Sequence, residues 1–224
     1  MRRESRFAIL IAMKTTIAAV LAAMLAATSF AGWTPAMVSL VTPVQVPSRN
    51  YDVTGFRLSL LYGDCHDFTG LDLGIAQRTA SDFAGLAIGG VNIAGEHIYG
   101  VQIGLLNWSS SDSLEWADRS IGVQFGVFNW AASFCGLQDG VVNASSSSLV
   151  GWQSGLVNFA GDFRGLQSGF WLFGAINIAK NVDGAQLGLV NFAYTMEGGV
   201  QIGVVNIIAR NGWLPVLPLI NGGF

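Results

Sequence analysis

From Gly55 to Asn206 the hydrophobic and polar positions follow one short unit: Gly, apolar, Gln, apolar, Gly, two mostly apolar residues, Asn. Clear copies begin at Gly100 (GVQIGLLN), Gly122 (GVQFGVFN), Gly136 (GLQDGVVN), Gly151 (GWQSGLVN), Gly184 (GAQLGLVN) and Gly199 (GVQIGVVN). Weaker copies begin at Gly55, Gly70, Gly85 and Gly165. Successive starts lie 14 or 15 residues apart, except for gaps of 22 after Gly100 and 19 after Gly165. With the first Gly as position 0, polarity alternates with a period of two, which is the period of a β-strand. Gly, Gln and Gly occupy one face at positions 0, 2 and 4, while Leu, Ile, Val or Phe dominate positions 1, 3 and 5 on the other. A bulky residue at −2 (Phe68, Phe83, Ile98, Phe134, Leu149, Phe163, Val182) lengthens each strand, and the remaining residues suit turns. A Gly at every fourth residue gives helices little support.

Position 2 is Gln in seven copies: Gln102, Gln124, Gln138, Gln153, Gln167, Gln186 and Gln201. The first two copies carry Arg57 and Asp72 there instead. Opposite charges at one level of neighbouring strands, where other copies hold a neutral amide, point to an enclosed polar layer whose ions are paired.

Two architectures accommodate such a unit. The expected one is an antiparallel up-and-down β-barrel of about ten to twelve membrane-spanning strands, apolar outside and small or polar inside. The motif is nearly symmetric about its Gln, so up and down strands keep Gly and Gln level. Proline-bearing segments at Trp33–Val46 and Trp213–Phe224 then supply the closing strands, and the terminal Phe224 resembles the sorting signal of bacterial outer-membrane barrels. The alternative is a parallel β-solenoid with one unit per coil. In it, Asn92, Asn107, Asn129, Asn143, Asn158, Asn191 and Asn206 stack as an amide ladder. Asp139, Ser154 and Ser168, at position 3 of three consecutive copies, weigh against a lipid-facing barrel wall.

Composition adds location. The chain is 51% hydrophobic and only 11% charged, which excludes a disordered chain. Arg2, Arg3, Arg6 and Lys14 precede an apolar run ending at Ser29-Phe30-Ala31, the layout of a secretory signal at residues 1–31 (Met13 offers an alternative start). Removing those residues, which hold four basic groups and one acidic, takes the formal charge from −3 to −6. Nucleic acid is therefore not an expected partner. The rest, 32–224, reads as a single repeat-built β domain with no further stretch long enough for a membrane helix.

The copies from Gly55 to Asn206 and the segment Leu214 to Phe224 resemble an uncharacterised family of bacterial surface-repeat proteins, whose arrays read Gly-Leu-Gln-Leu-Gly-Leu-Val-Asn. The resemblance implies a place at the outer membrane or cell surface, and no catalytic residues.

Candidate chemistry is sparse. His66 lies in Asp64-Cys65-His66-Asp67, where adjacent residues on one turn rarely converge on an ion, and His97 reads as a solvated turn residue beside Glu96. No metal site or cofactor is expected. Cys65 and Cys135 are candidates for a disulfide in an exported chain. The Gly-x-Gln-x-Gly units lack the following helix that a phosphate loop needs. Trp108, Trp130, Trp152 and Trp171 suit an interfacial belt, a carbohydrate platform or ordinary strand positions. The expected function is thus non-enzymatic: an outer-membrane or cell-surface protein with a structural or surface-interaction role, or a narrow pore, its partners being membrane lipid and the barrel-insertion machinery. The alternative is a secreted solenoid that binds a surface partner or glycan.

Overall fold

A computed structural model describes residues 32–110, 119–169 and 176–224. Residues 1–31, expected to form a secretory signal, and Trp171 lie outside the described residues. The strands are β1 (Trp33–Val41), β2 (Val44–Val46), β3 (Asp52–Cys65), β4 (Phe68–Thr79), β5 (Phe83–Ala94), β6 (Ile98–Ser109), β7 (Ser120–Ser168), β8 (Ile176–Leu187), β9 (Val190–Arg210) and β10 (Val216–Gly223). They form one array ordered β10-β9-β8-β7-β6-β5-β4-β3-β1-β2. From β3 to β9 every neighbouring pair is parallel.

The register places like on like. Gly70, Gly85, Gly100 and Gly122 are successive partners, as are Asn92, Asn107 and Asn129. The chain is a parallel β-solenoid, and the expected antiparallel barrel is wrong. Gly-x-Gln-x-Gly reads the same in both directions, so the centre of the motif fits either strand sense. The Asn at position 7 breaks that symmetry. Reflection about the Gln would set it against position −3, which holds Asp67, Asp82 or His97, and only parallel coils bring Asn to Asn.

The two proline-bearing segments do not meet as closing strands. They cap opposite ends of the stack. β1 pairs in parallel with β3, setting Met37 beside Arg57, and β2 folds back antiparallel on β1. At the other end β10 runs antiparallel on β9. Both ends of a parallel stack expose unpaired backbone, and an antiparallel strand carrying a proline, as β10 does at Pro218, blunts further pairing. Phe224 lies beyond β10, 93% exposed and tilted against Trp213, so the sorting role expected of it falls with the barrel.

Along each coil the inward positions are −2 and 2, then 7 and 9. In β6 these are Ile98, Gln102, Asn107 and Ser109. The phase of alternation shifts between Gly at 4 and Asn at 7 because the chain turns a corner at 5 and 6. Each coil thus has two sides joined by that corner and by the polar turn. Gly at position 0 permits the close stacking. All ten of these glycines have φ between 130° and 156°, and a Cβ would fall on a carbonyl oxygen of the coil below, that of Pro35 for Gly55 and that of the preceding repeat glycine for the other nine. Gly at position 4 makes room for an amide: a Cβ on Gly104 would lie 2.7 Å from Nδ2 of Asn92.

The apolar interior divides in two. One cluster contains Met37, Val53, Phe68, Phe83 and Ile98, and the other Phe134, Leu149, Phe163, Val182 and Met196. Between them Ser120 takes the −2 position, its hydroxyl 2.7 Å from that of Ser109 and accepting from the Ile98 amide at 3.0 Å. This polar layer falls at the 22-residue gap between the repeat starts Gly100 and Gly122.

Candidate functional site

The seven Gln side chains form one buried column. Each later amide donates back to the one before it: Gln124 to Gln102 at 3.1 Å, then Gln138, Gln153, Gln167, Gln186 and Gln201 in turn at 2.7–2.8 Å. Five of them place a second N–H on a backbone carbonyl across the coil, such as Gln153 on Phe159 at 3.1 Å. The Asn column runs the other way. Asn92 donates forward to Asn107 at 2.8 Å, and the sense holds through to Asn206. From Asn92 to Asn191 each also donates to position 3 of the next coil, as Asn107 does to the Phe125 carbonyl at 2.8 Å, while Asn206 turns back to the Gly203 carbonyl of its own coil. Both columns lace the two sides of the coil together and satisfy amides that would be costly to bury alone, except at one end of each, where Oε1 of Gln77 and Oε1 of Gln201 are buried without a donor.

Two members of the Asn column are missed by a search for Asn at position 7: Gln77 by residue type, Asn177 by spacing. Gln77 takes the Asn place in the coil of Gly70 and donates to Asn92 at 2.7 Å. Asn177 takes it in the coil of Gly165, beyond an insertion that falls inside the repeat. The Gly-Ala-Ile-Asn ending at 177 was the available signal.

Arg57 and Asp72 stand side by side beneath the Gln column, with Ala87 between them and Gln102. Nε of Arg57 donates to Oδ1 of Asp72 at 2.8 Å and Nη2 to Oδ2. The remaining N–H groups reach Cys65 Sγ and the Arg78 carbonyl, both at 2.8 Å, and Thr79 Oγ1 at 3.2 Å, while the guanidinium lies 4.8 Å over the Phe68 ring. Burial opposes the Arg57 charge, but Asp72 outweighs it and holds the guanidinium above its usual value. Burial likewise pushes the Asp72 carboxyl up, against the pull of Arg57. Cys65 is pushed by burial to about 11, so its thiol stays protonated. Every polar group in this cluster serves another, and Arg57 and Asp72 are both enclosed in the interior. Its place is structural.

The cysteines are free. Cys65 points inward beside Arg57, while Cys135 lies several coils away at position −1 on the outside, so the proposed disulfide does not form. Trp108 and Trp130 stack on one another at 4.9 Å, each covering a face that a sugar would need. Trp152 is exposed and donates Nε1 to Ser168 Oγ at 2.8 Å.

Two features of the exterior remain. One is the corner at position 5, where Leu60, Ile75, Leu105, Val127, Val141, Leu156, Leu189 and Val204 form a column 42–66% exposed, broken only by Gly90 among the described coils. Ile88, Ile103, Phe125 and Ile202 at position 3 widen it, and Asp139 notches it. The other is the opposite edge, where the turns carry the charge. There His66 Nδ1 lies 3.0 Å from Asp52 Oδ1 and 3.4 Å from Asp67 Oδ2, and these carboxylates raise the imidazole above its ordinary value. Two coils on, His97 Nδ1 lies 2.8 Å from Asp82 Oδ1, beside Glu96. Asp64 joins neither group and faces Arg78 at 3.2 Å. No helix among the described residues is long and apolar enough to cross a membrane, a statement that leaves β-structures aside. No protein family, curated protein or solved structure matches the chain.

Proposed function

We propose that this protein is a non-enzymatic, exported β-solenoid that lies on a lipid surface by its apolar edge, as a structural or interaction element of a bacterial cell surface. The observation that carries the reading is the column of eight half-exposed aliphatic side chains from Leu60 to Val204. A soluble monomer rarely exposes so extended an apolar strip, and interfacial binding grows with the apolar area buried. The charged turns occupy the other edge, so the rod is amphipathic across its width and can keep them in water. The signal-like residues 1–31 and the resemblance to bacterial surface-repeat arrays support export. The amides and the buried ion pair are consumed by the fold, which supports a role without catalysis. The insertion machinery of barrels has no part in this reading.

Flotation with phosphatidylcholine vesicles tests it. The protein is expected to float with the vesicles, with little response to salt, because the contact is apolar. Leu105→Asp combined with Leu156→Asp, both on the solvent side of the coil, is expected to leave it at the bottom of the gradient. Wild-type protein that stays at the bottom overturns the reading.

A further inference from the structure

We propose that the charged edge binds two divalent transition cations of the zinc class, one at Asp52, His66 and Asp67 and one at Asp82, Glu96 and His97. Within each trio the candidate ligand atoms lie within 4.8 Å of one another. Ligands held at 2.0–2.2 Å around a tetrahedral zinc are about 3.3–3.6 Å apart. The separations of His66 from its two carboxylates, 3.0 and 3.4 Å, therefore need little adjustment. A water would complete either site, and both open to solvent.

The second observation is the repetition. The coil register sets Asp52, Asp67, Asp82 and His97 at position −3 of four successive coils, with His66 and Glu96 at −4 of the second and fourth. Each trio takes −3 from one coil and both −4 and −3 from the next. Between the two trios the imidazole and a carboxylate exchange places, His66-Asp67 becoming Glu96-His97. The composition stays at one imidazole and two carboxylates, a donor set that neutralises a divalent ion and suits zinc better than calcium. The repeat does not require this: the same positions farther along hold Ser133 and Ser148.

The carboxylates are partly anchored. Asp67 Oδ1 accepts the Asp82 amide at 3.0 Å, leaving Oδ2 toward His66. Asp82 Oδ1 accepts the His97 amide at 3.1 Å as well as facing its ring. Stacked carboxylates one strand spacing apart repel, and an ion at each site would relieve that repulsion while clipping one coil to the next. This inference is independent of the lipid-surface reading, since it concerns the other edge.

The test uses the full chain, made without a histidine tag and stripped by a chelator, titrated calorimetrically with Zn²⁺. Its only histidines are His66 and His97, so the count is unambiguous. Two equivalents are expected for the wild type, one for His66→Ala, one for His97→Ala and none for the double variant, with unchanged far-ultraviolet circular dichroism. Should a histidine variant fail to fold, Asp52→Asn and Asp82→Asn are expected to remove the same equivalents. No uptake by the folded wild type, or undiminished uptake by the double variant, overturns the proposal.

Discussion

Asn129 donates its side-chain amide to Asn143 on the next coil at 2.8 Å, while on the facing side Gln138 donates to Gln124 on the coil before, also at 2.8 Å. The two amide columns thus run with opposite polarity, and their bond dipoles oppose one another along the rod. A long ladder pointing one way would build up charge at its ends, much as a helix does. Two opposed ladders offset that. The arrangement also explains why the repeat keeps both Gln and Asn in place of apolar residues of similar size: each is donor and acceptor to its own copies.

Ladder position should govern the cost of losing an amide. Within the ladder Gln138→Ala strands Oε1 of Gln124 and one N–H of Gln153, whereas Gln201→Ala strands Oε1 of Gln186 alone; each also takes a donor from one backbone carbonyl, Ala144 or Ile207. At about 1–3 kcal/mol for each buried orphan, the first is expected to lower the stability more than the second. Urea midpoints of the two variants check this, and equal losses would show that the ladder bonds contribute little.

Arg57 and Asp72 should be strongly coupled. Arg57→Met alone leaves a buried carboxylate without its partner, at a cost of about 3–5 kcal/mol. Adding Asp72→Leu removes that unpaired charge. The double variant is therefore expected to be more stable than Arg57→Met, with a coupling energy that a double-mutant cycle measures directly. Additive losses would contradict an enclosed pair.

Glycine at position 0 should tolerate nothing larger. Gly151 has φ of 138°, and a Cβ there would overlap the Gly136 carbonyl. Gly198 has room, its nearest neighbour being Asp183 Oδ1 at 3.5 Å. Gly151→Ala is expected to abolish soluble folded protein or cut its thermal midpoint sharply, while Gly198→Ala changes it little. Circular dichroism melting curves decide between them.

Cys65 should act as a marker of the closed N-terminal end. A thiol reagent at pH 8 is expected to modify the half-buried Cys135 and to reach the buried Cys65 only after unfolding. The linkage follows from its raised value. The thiol ionises near 8.5 in the unfolded chain and at about 11 in the folded one. Its contribution is complete below the first value and is lost as pH rises toward the second. Stability measured from pH 8 to 11 should fall, and less steeply in Cys65→Ser, which keeps an acceptor for Arg57. Identical slopes would remove Cys65 from the account.

Much of this was legible in the residues. The period-two alternation marked strands, position 2 marked an interior column, and Arg57 and Asp72 marked two charges at one level. Strand direction was harder, because Gly-x-Gln-x-Gly has no sense. The deciding residue, Asn at position 7, lies beyond the corner where the inward phase shifts, and simple alternation would have turned it outward. Asn177 was hidden by an insertion within its own repeat. The cation trios were invisible in sequence for a further reason: Asp52 reaches His66 across the stack, and Asp82 reaches Glu96 and His97 in the same way, contacts that exist only once coils lie in parallel.

Parallel stacking is the claim from which the rest follows, and electron-electron distances between spin labels measure it. Ile75, Val127 and Val204 share position 5, are exposed, and lie on the second, fifth and tenth coils. At about 4.8 Å per coil, labels at 127 and 204 should be about 24 Å apart, and labels at 75 and 204 about 38 Å. Distances that grow in proportion to the number of coils between the labels are the expected result. A separation between 75 and 204 no longer than that between 127 and 204, as a closed ring of strands would give, contradicts the solenoid.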